Sequence, residues 1–232
     1  MMALIAGNEI TLRARNPRNL TDAWEWVRRA HTRDVHRSYL RGVWITTDGD
    51  LWASDGARLH LAHEIYGPVA KPILAPVDLA EDLSKSDLRT APPARVFPIS
   101  VDSAQGWIWT RHGDLYLADP GQSGTPFETA KRIIDEARAG YICHTTPAAI
   151  RRVLKTAHRD PDFTPASRIL FFPDHLEPAV ETISGIRFRR SYLTDAVAGL
   201  DRNAEVKIRT SGELDPILVE APGRTVLIMP CR

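Results

Sequence analysis

The chain has 232 residues, of which 43% are hydrophobic and 25% are charged, proportions typical of a folded globular protein rather than a disordered one. Its 30 basic and 29 acidic side chains leave a formal net charge of +1, so bulk charge does not indicate a polyanionic partner. Two cysteines, Cys143 and Cys231, exclude a disulfide framework, and no apolar run approaches the roughly 20 residues of a membrane span, so we expect a cytoplasmic protein without a membrane segment.

The first half of the chain predicts a helix, a hairpin, a strand, a second helix and a final hairpin and strand. Apolar residues recur at helical spacing in NLTDAWEWVRRAHTRD (19–34), where Asn19 is a suitable N-cap. Asp48-Gly49 joins the strands of GVWITTDGDLWASDG and is typical of tight hairpin turns. A strand in PILAPVDLAEDL leads into the second helix, and RVFPISVDSAQGWIWTRHGDLYLAD completes the half. The predicted buried face of the first helix consists of Leu20, Ala23, Trp24, Val27 and Ala30.

The second half repeats this order of elements. Thr146 is placed to cap the helix TPAAIRRVLKTAHRD, and Pro147 suits its first position because no backbone N–H is needed there. SRILFFPDHLEPAV, GIRF, a fourth helix and AEVKIRTSGELDPILVEAPGRTVLIMP follow. We therefore predict an α+β protein of two tandem repeats, each with two helices packed on antiparallel sheets, with domains at 1–138 and 139–232 and a connector at 121–138. The predicted buried residues of the third and fourth helices are Ile150, Val153, Leu154, Ala157, Leu193, Ala196, Val197 and Leu200.

Basic side chains are concentrated on the predicted helices. A solvated helix face is the ordinary explanation, but the same bias in both halves also fits a surface that binds a polyanion. Such contacts would be to phosphates, independent of base sequence and sensitive to salt, because no base-reading motif is present. The residues on the first three helices are Arg28, Arg29, Arg33, Lys85, Arg89, Arg151, Arg152, Lys155 and Arg159, and the fourth helix is preceded by Arg187, Arg189 and Arg190.

No pattern in the sequence indicates an enzyme, a metal or a cofactor. His60 and His63 would point to opposite faces of a strand, which separates them as metal ligands. Cys143 and His144 are sequence neighbours, whereas a catalytic Cys/His pair is normally assembled from distant positions, so a Cys/His hydrolase is a minor alternative. The glycine motifs that cradle phosphates, the nucleophile elbow and the HExxH motif are all absent.

Two stretches resemble the bacterial sliding clamp, the beta subunit of DNA polymerase III. SYLRGVWITTDGDLWASDGARLHLA (38–62) is similar to the start of the clamp's middle domain, with a Tyr-Leu-x-Gly entry, a hairpin and Asp-Gly-x-Arg-Leu. The stretch 189–232 is similar to the end of the last domain, with a Tyr-Leu-x-Asp-Ala helix, the strand DPILVE and a terminal Met-Pro-x-Arg. ILAPVDLAEDL matches the strand and helix between them, and weaker similarity runs from about residue 10 to the end.

This resemblance implies the DNA-clamp fold and a protein that encircles double-stranded DNA without reading its sequence. Clamps of this family are rings of six α+β domains whose helices line the central hole, so the basic helices of this chain would face DNA. Arg37 and Tyr39 match positions that touch DNA at the edge of the hole. This chain has the equivalents of two of the family's three domains, so a six-domain ring would be a homotrimer.

The resemblance also implies a hydrophobic pocket that docks linear peptides of the polymerase, the clamp loader and repair proteins. A concave apolar site suits one or two anchoring side chains, where peptide-binding energy concentrates. One side would consist of Leu40, Ser54, Gly56, Ala57 and Leu59, with Ile134 at the floor. The other side would consist of Leu227, Ile228, Met229, Pro230, Cys231 and Arg232.

The sequence departs from the clamp pattern at several points. The second repeat is shorter by about one strand, Ala57 replaces the usual histidine of Asp-Gly-His-Arg-Leu, and Cys231 replaces the second methionine of the terminal motif. The smaller, less apolar pocket that results predicts peptide clients of its own. The alternative function is a monomeric adaptor or decoy that keeps the peptide pocket and forms no ring.

Overall fold

The structure is a computed structural model that describes residues 9–12, 14–16, 20–32, 34, 36–69, 72–80, 97–102, 106–111, 114–118, 127–156, 158–159, 169–171, 186, 188–212 and 214–230. The chain divides into two compact units, residues 1–55 with 61–126, and residues 56–60 with 127–232. This division differs from the predicted boundary at residue 138. The reason is that residues 127–138 form a helix whose buried Ile134 and Ala137 belong to the second unit.

The first unit contains one long described helix and two groups of antiparallel strands. One group has the order β1-β6-β7-β8, and the other includes the neighbours β5-β2-β3. Residues 77–80 are helical and begin the predicted second helix, which otherwise lies outside the described residues. The elements are β1 (Glu9–Leu12), α1 (Leu20–Arg28), β2 (Gly42–Ile45), β3 (Leu51–Ser54), β4 (Arg58–Ala62, which begins among residues assigned to the second unit), β5 (Ile73–Pro76), β6 (Phe97–Asp102), β7 (Gly106–Arg111) and β8 (Asp114–Ala118).

The core of the first unit is rich in tryptophan. All five residues predicted for the buried face of α1 are buried, and Trp24 donates its indole N–H to the hydroxyl of Tyr66 at 2.9 Å. Trp44 on β2 stacks on Trp52 on β3, with ring centroids 6.2 Å apart. The hairpin between these strands turns where predicted, with Gly49 at φ 87°, a conformation that favours glycine.

The second unit is built from three described helices and two antiparallel sheets. The larger sheet has the order β4-β15-β14-β13-β9, and the described strands of the smaller sheet have the order β10-β11-β12. The last described strand, β15, therefore lies between β4 and β14. The elements are α2 (Phe127–Arg138), β9 (Tyr141–Thr145), α3 (Pro147–Thr156), β10 (His158–Arg159), β11 (Ile169–Phe171), β12 (Phe188–Arg189), α4 (Arg190–Ala196), β13 (Val206–Thr210), β14 (Ile217–Ala221) and β15 (Arg224–Ile228).

Strand order confirms the predicted duplication. In the first unit β1 pairs with β6, which is followed by β7 and β8, and in the second β9 pairs with β13, which is followed by β14 and β15. In both, the strand before a helix pairs antiparallel with the first of three consecutive strands. The cap predicted for the third helix also agrees, because α3 begins at Pro147 and the Thr146 hydroxyl accepts a hydrogen bond from the N–H of Ala149 at 3.2 Å. Asn19, the cap predicted for the first helix, lies outside the described residues.

Candidate functional site

The beginning of β4 lies beside the end of β15 in the second unit. The backbone N–H of Met229 donates a hydrogen bond to the carbonyl of Ala57 at 2.8 Å. Leu59 and Ile228 are buried, whereas Ala57 and Met229 are partly exposed. Most of the predicted pocket residues are thus brought together here. The β4–β15 junction, as we name it, consists of Gly56, Ala57, Arg58, Leu59, Leu227, Ile228, Met229 and Pro230.

The other predicted pocket residues belong to other elements of the chain or are not described. Leu40 is buried at the end of a 3-10 turn, Ser38–Leu40, in the first unit, and Ser54 is the partly exposed last residue of β3. Ile134 is buried on α2, which contacts β13 and β14, so its observed role is packing of that helix. Cys231 and Arg232 lie outside the described residues.

An ion pair that the sequence analysis did not single out fixes Arg58 at this junction. Its Nη1 lies 2.6 Å from Oδ2 of Asp195 on α4, and the two side chains are only 11% and 24% exposed. Its guanidinium carbon also lies 4.6 Å from the ring centroid of Tyr192, within cation–π range. The sequence did contain a signal for this contact, because Arg58 belongs to the Asp-Gly-x-Arg-Leu motif and Tyr192 and Asp195 belong to the Tyr-Leu-x-Asp-Ala motif.

A second guanidinium lies over the same tyrosine ring. The guanidinium carbon of Arg189 is 5.7 Å from the ring centroid of Tyr192, and the Arg189 side chain is exposed. Within the part of the chain that the structure describes, no carboxylate pairs with Arg189. Among the described residues, two guanidinium groups thus lie over the ring, and the carboxylate of Asp195 pairs with that of Arg58.

Several residues predicted to bind DNA have partners within the protein. Arg151 donates to the carbonyls of Val197 and Leu200, at 2.8 and 3.4 Å, just after α4 ends. The side chain thus satisfies carbonyls that a helix terminus leaves without intrahelical partners. Arg224 donates to the neighbouring Ala198 carbonyl at 2.9 Å in the same way.

Two predicted DNA-binding residues of the first unit also form ion pairs. Arg29 forms an ion pair with Glu25 at 3.0 Å, and Arg37 lies 3.6 Å from Asp34. Arg28 is partly buried. The backbone carbonyl of Tyr39 accepts a hydrogen bond from the indole N–H of Trp44 at 2.7 Å. These pairings neutralise part of the positive charge that the sequence suggested was free.

Three exposed basic side chains lie on the described parts of α3 and α4, two helices that contact each other. They are Arg152 and Lys155 on α3 and Arg190 at the start of α4. Arg159 lies in β10, and its side chain is not described. Arg33, Lys85, Arg89 and Arg187 lie outside the described residues.

The geometry of β9 argues against a Cys/His hydrolase built on Cys143 and His144. Cys143 is buried, whereas the His144 side chain is exposed and lies 2.8 Å from Glu205. Because successive side chains alternate between the faces of a strand, the thiol and the imidazole point apart. Among the described residues there is also no cluster of three or more His, Cys, Asp or Glu side chains that could hold a metal ion.

His60 and His63 have separate environments. His60 is fully buried, whereas His63 is partly exposed and lies 3.5 Å from Asp50. Burial raises the pKa of Asp50, but hydrogen bonds from His63 and the backbone N–H of Glu64, together with the charges of His63 and Arg15, outweigh burial and hold this pKa below its usual value. This arrangement anchors the turn after β4 in the first unit.

The structure is similar to bacterial sliding clamps, although no protein-family model and no curated protein matches the sequence. A sliding clamp from Bartonella birtlesii, bound to griselimycin, matches with a TM-score of 0.69 at 15% identity, covering 100% of this chain and 69% of that chain. The DNA polymerase III beta subunit of Thermotoga maritima matches at 0.68 and 16%, covering 100% and 67%. The Helicobacter pylori beta clamp, bound to a DNA ligase peptide, matches at 0.65 and 12%, covering 100% and 68%.

These likenesses show that the chain has the DNA-clamp fold predicted from the sequence. The chain spans about two-thirds of the length of the clamps it matches. In the part of the chain that the structure describes, no helix is long and apolar enough to cross a membrane.

Proposed function

We propose that the protein is a sliding clamp or clamp-like processivity factor, without enzymatic activity of its own, that holds duplex DNA in the cytoplasm and docks short peptides of polymerase, clamp loader and repair proteins. One observation carries this proposal, namely that the whole chain matches clamp structures from several bacteria with TM-scores of 0.65–0.69. Processivity depends on holding DNA without reading it, so the relevant assay is retention on DNA rather than sequence-specific affinity.

Peptide docking is assigned to the β4–β15 junction. Partly exposed Ala57, Met229 and Pro230 adjoin buried Leu59 and Ile228 on the two strands, an arrangement suited to an apolar anchor. Two of the similar clamps are bound to a DNA ligase peptide and to griselimycin. Both compounds are therefore suitable probes for this chain.

Met229→Glu tests the junction directly. The Met229 backbone N–H, which bonds Ala57, is kept, so the fold is expected to persist while a charge enters the apolar site. We expect binding of the labelled DNA ligase peptide to fall at least tenfold, which corresponds to about 1.4 kcal/mol. Leu214→Glu is the matched control, because Leu214 is 68% exposed in the same unit. If the wild type and Met229→Glu bound the labelled peptide with equal affinity, the assignment of peptide docking to this junction would be wrong.

DNA holding is assigned to the exposed basic side chains of α3 and α4. Charge reversal at Arg152 and Lys155 is expected to weaken retention on DNA and to lower the salt slope by about 1 for each phosphate that the variant no longer binds. Arg132→Glu is the control, because Arg132 is exposed on α2 of the same unit. An unchanged salt slope after the double charge reversal would mean that these side chains belong to an ordinary solvated helix face and do not bind phosphates.

Encirclement requires assembly. A ring of six domains needs three copies of a two-domain chain, so a trimer that stays on circular DNA and slides off linear DNA is expected. Sedimentation over a range of concentrations, combined with retention on the two DNA forms, measures both properties. A monomer at micromolar concentration that leaves circular and linear DNA equally fast would contradict encirclement.

A second function, a monomeric adaptor or decoy for clamp-binding peptides, is favoured by the internal pairing of basic side chains. Arg151 is bound to carbonyls, and Arg29 and Arg37 have acidic partners, so fewer cations are free for phosphates than the sequence suggests. This function predicts peptide binding that is sensitive to Met229→Glu together with no retention on DNA. The DNA and peptide assays therefore separate the two functions.

A further inference from the structure

We propose that the β4–β15 junction selects peptides that carry a carboxylate close to their apolar anchor, and that Arg189 binds this carboxylate. The inference rests on the peptide docking proposed above and names a chemical class of partner for it. Its basis is the pair of guanidinium groups over Tyr192, only one of which has an acidic partner among the described residues.

Arg58 connects the tyrosine to the junction. It follows Ala57, whose carbonyl accepts the Met229 N–H, and its own guanidinium is held by Asp195 at 2.6 Å. Because this pair is mostly buried, the positive charge of Arg58 is already compensated and its position is fixed. The Arg58 side chain therefore links the Tyr192 ring to the β4 segment on which a peptide would lie.

Arg189 supplies the uncompensated charge. Its side chain is exposed, and the ring 5.7 Å from its guanidinium carbon restricts where the fork of N–H donors can lie. A guanidinium in this position can bind a carboxylate in a bidentate arrangement. An amide group at the same place would gain less, and an ammonium group would be repelled by Arg189.

A carboxylate fits this location better than a DNA phosphate. Arg152 and Lys155 extend from an exposed helix face, where a broad duplex can approach. Arg189 instead extends along a ring that already packs against the largely buried Arg58, next to a site suited to single side chains. The carboxylate can come from an aspartate or glutamate side chain or from the free end of a peptide, and the experiment separates these sources.

The test uses the full chain and the labelled DNA ligase peptide that the Helicobacter pylori clamp binds. Each position of the peptide outside its apolar anchors is replaced in turn by Glu, Gln or Lys, with the C-terminus as an amide, and one further peptide has a free acid. Fluorescence anisotropy gives affinities at about 50 mM and about 500 mM salt, where exposed charges are weakly and strongly screened. Retention of each protein variant on DNA is measured in parallel.

We expect the peptide with Glu at one position to bind about three- to tenfold more tightly than the peptide with Lys there, or the free-acid peptide to bind more tightly than the amide by a similar factor. Most of the difference in affinity should disappear at high salt. Arg189→Gln is expected to abolish this preference. Arg202→Gln is expected to keep it, because Arg202 is exposed elsewhere in the same unit.

Three results would overturn the inference. Equal affinity for Glu, Gln and Lys at every position, with acid and amide also equal, leaves peptide docking standing but removes the role of Arg189. A preference unchanged by Arg189→Gln, together with weaker retention on DNA, assigns Arg189 to a phosphate. Absence of binding by every peptide overturns the docking function and this inference with it.

Discussion

The Arg58–Asp195 ion pair is expected to stabilise the second unit, and a double-mutant cycle measures its contribution. The two atoms are 2.6 Å apart and the side chains are 11% and 24% exposed, so water screens the pair only partly. A hydrogen bond between charged groups contributes about 1.5–3 kcal/mol, and removal of one partner of a fully buried pair costs about 3–5 kcal/mol. For this partly buried pair we expect Arg58→Met and Asp195→Asn each to lower the free energy of unfolding by about 2 kcal/mol, with a coupling of about 1–2 kcal/mol.

The chain offers both an assay and a control for this cycle. All six tryptophans lie between residues 24 and 109, in the first unit, so their fluorescence reports that unit, whereas far-UV circular dichroism reports both units. Urea unfolding of the four proteins by dichroism gives the coupling. Arg132 and Glu136 on α2 are also an ion pair, at 3.0 Å, but are 67% and 63% exposed, so their coupling should be about 0.3–0.5 kcal/mol. A coupling for Arg58 and Asp195 no larger than this control would refute the reasoning from burial.

Three further predictions concern other parts of the chain. Arg151 is bound to carbonyls after α4, so Arg151→Gln should lower the free energy of unfolding by about 1 kcal/mol, which urea unfolding measures. The same substitution should weaken retention on DNA less than Arg152→Gln does. Burial raises the pKa of Asp50, but the hydrogen bonds from His63 and Glu64 and the charges of His63 and Arg15 together outweigh it and hold this pKa below its usual value. The stability that the Asp50 carboxylate contributes is therefore present above about pH 4 and is lost as the pH falls below that value, so Asp50→Asn should lose less stability than the wild type between about pH 5 and pH 3. Gly42→Ala should lower the fluorescence-detected stability by about 1–3 kcal/mol, because its Cβ would lie 2.2 Å from a carbonyl oxygen of β5.

The sequence predicted α1, α3 and α4 and the order of elements along the chain because these depend on local patterns. The spacing in α1 identified a buried face, and Thr146 and Pro147 identified the first turn of α3. The prediction was incomplete at Trp26, which is buried outside the predicted face of α1. A period of 3.6 residues locates one buried face, whereas α1 is covered on more than that face.

The region predicted as a connector contains a helix that its composition did not indicate. Glycine, proline and charged residues dominate 121–138, but Ile134 and Ala137 lie three residues apart and face β13 and β14 once the helix forms. The Arg58–Asp195 pair was not found for a different reason. Its members are separated by 137 residues, and only the pairing of β4 with β15 brings the two motifs together.

The charge pattern was the least reliable signal, because a basic residue on a helix is not the same as a free cation. In the described parts of α3 and α4 the exposed basic side chains are Arg152, Lys155 and Arg190. If each neutralises one phosphate, the slope of log affinity against log salt should be about −3 for one copy and about −8 for three copies. Titration of DNA affinity with salt, on a species whose mass is known from sedimentation, therefore distinguishes one bound copy from a ring of three. A slope near zero would contradict phosphate binding by these helices and leave peptide docking as the function of the fold.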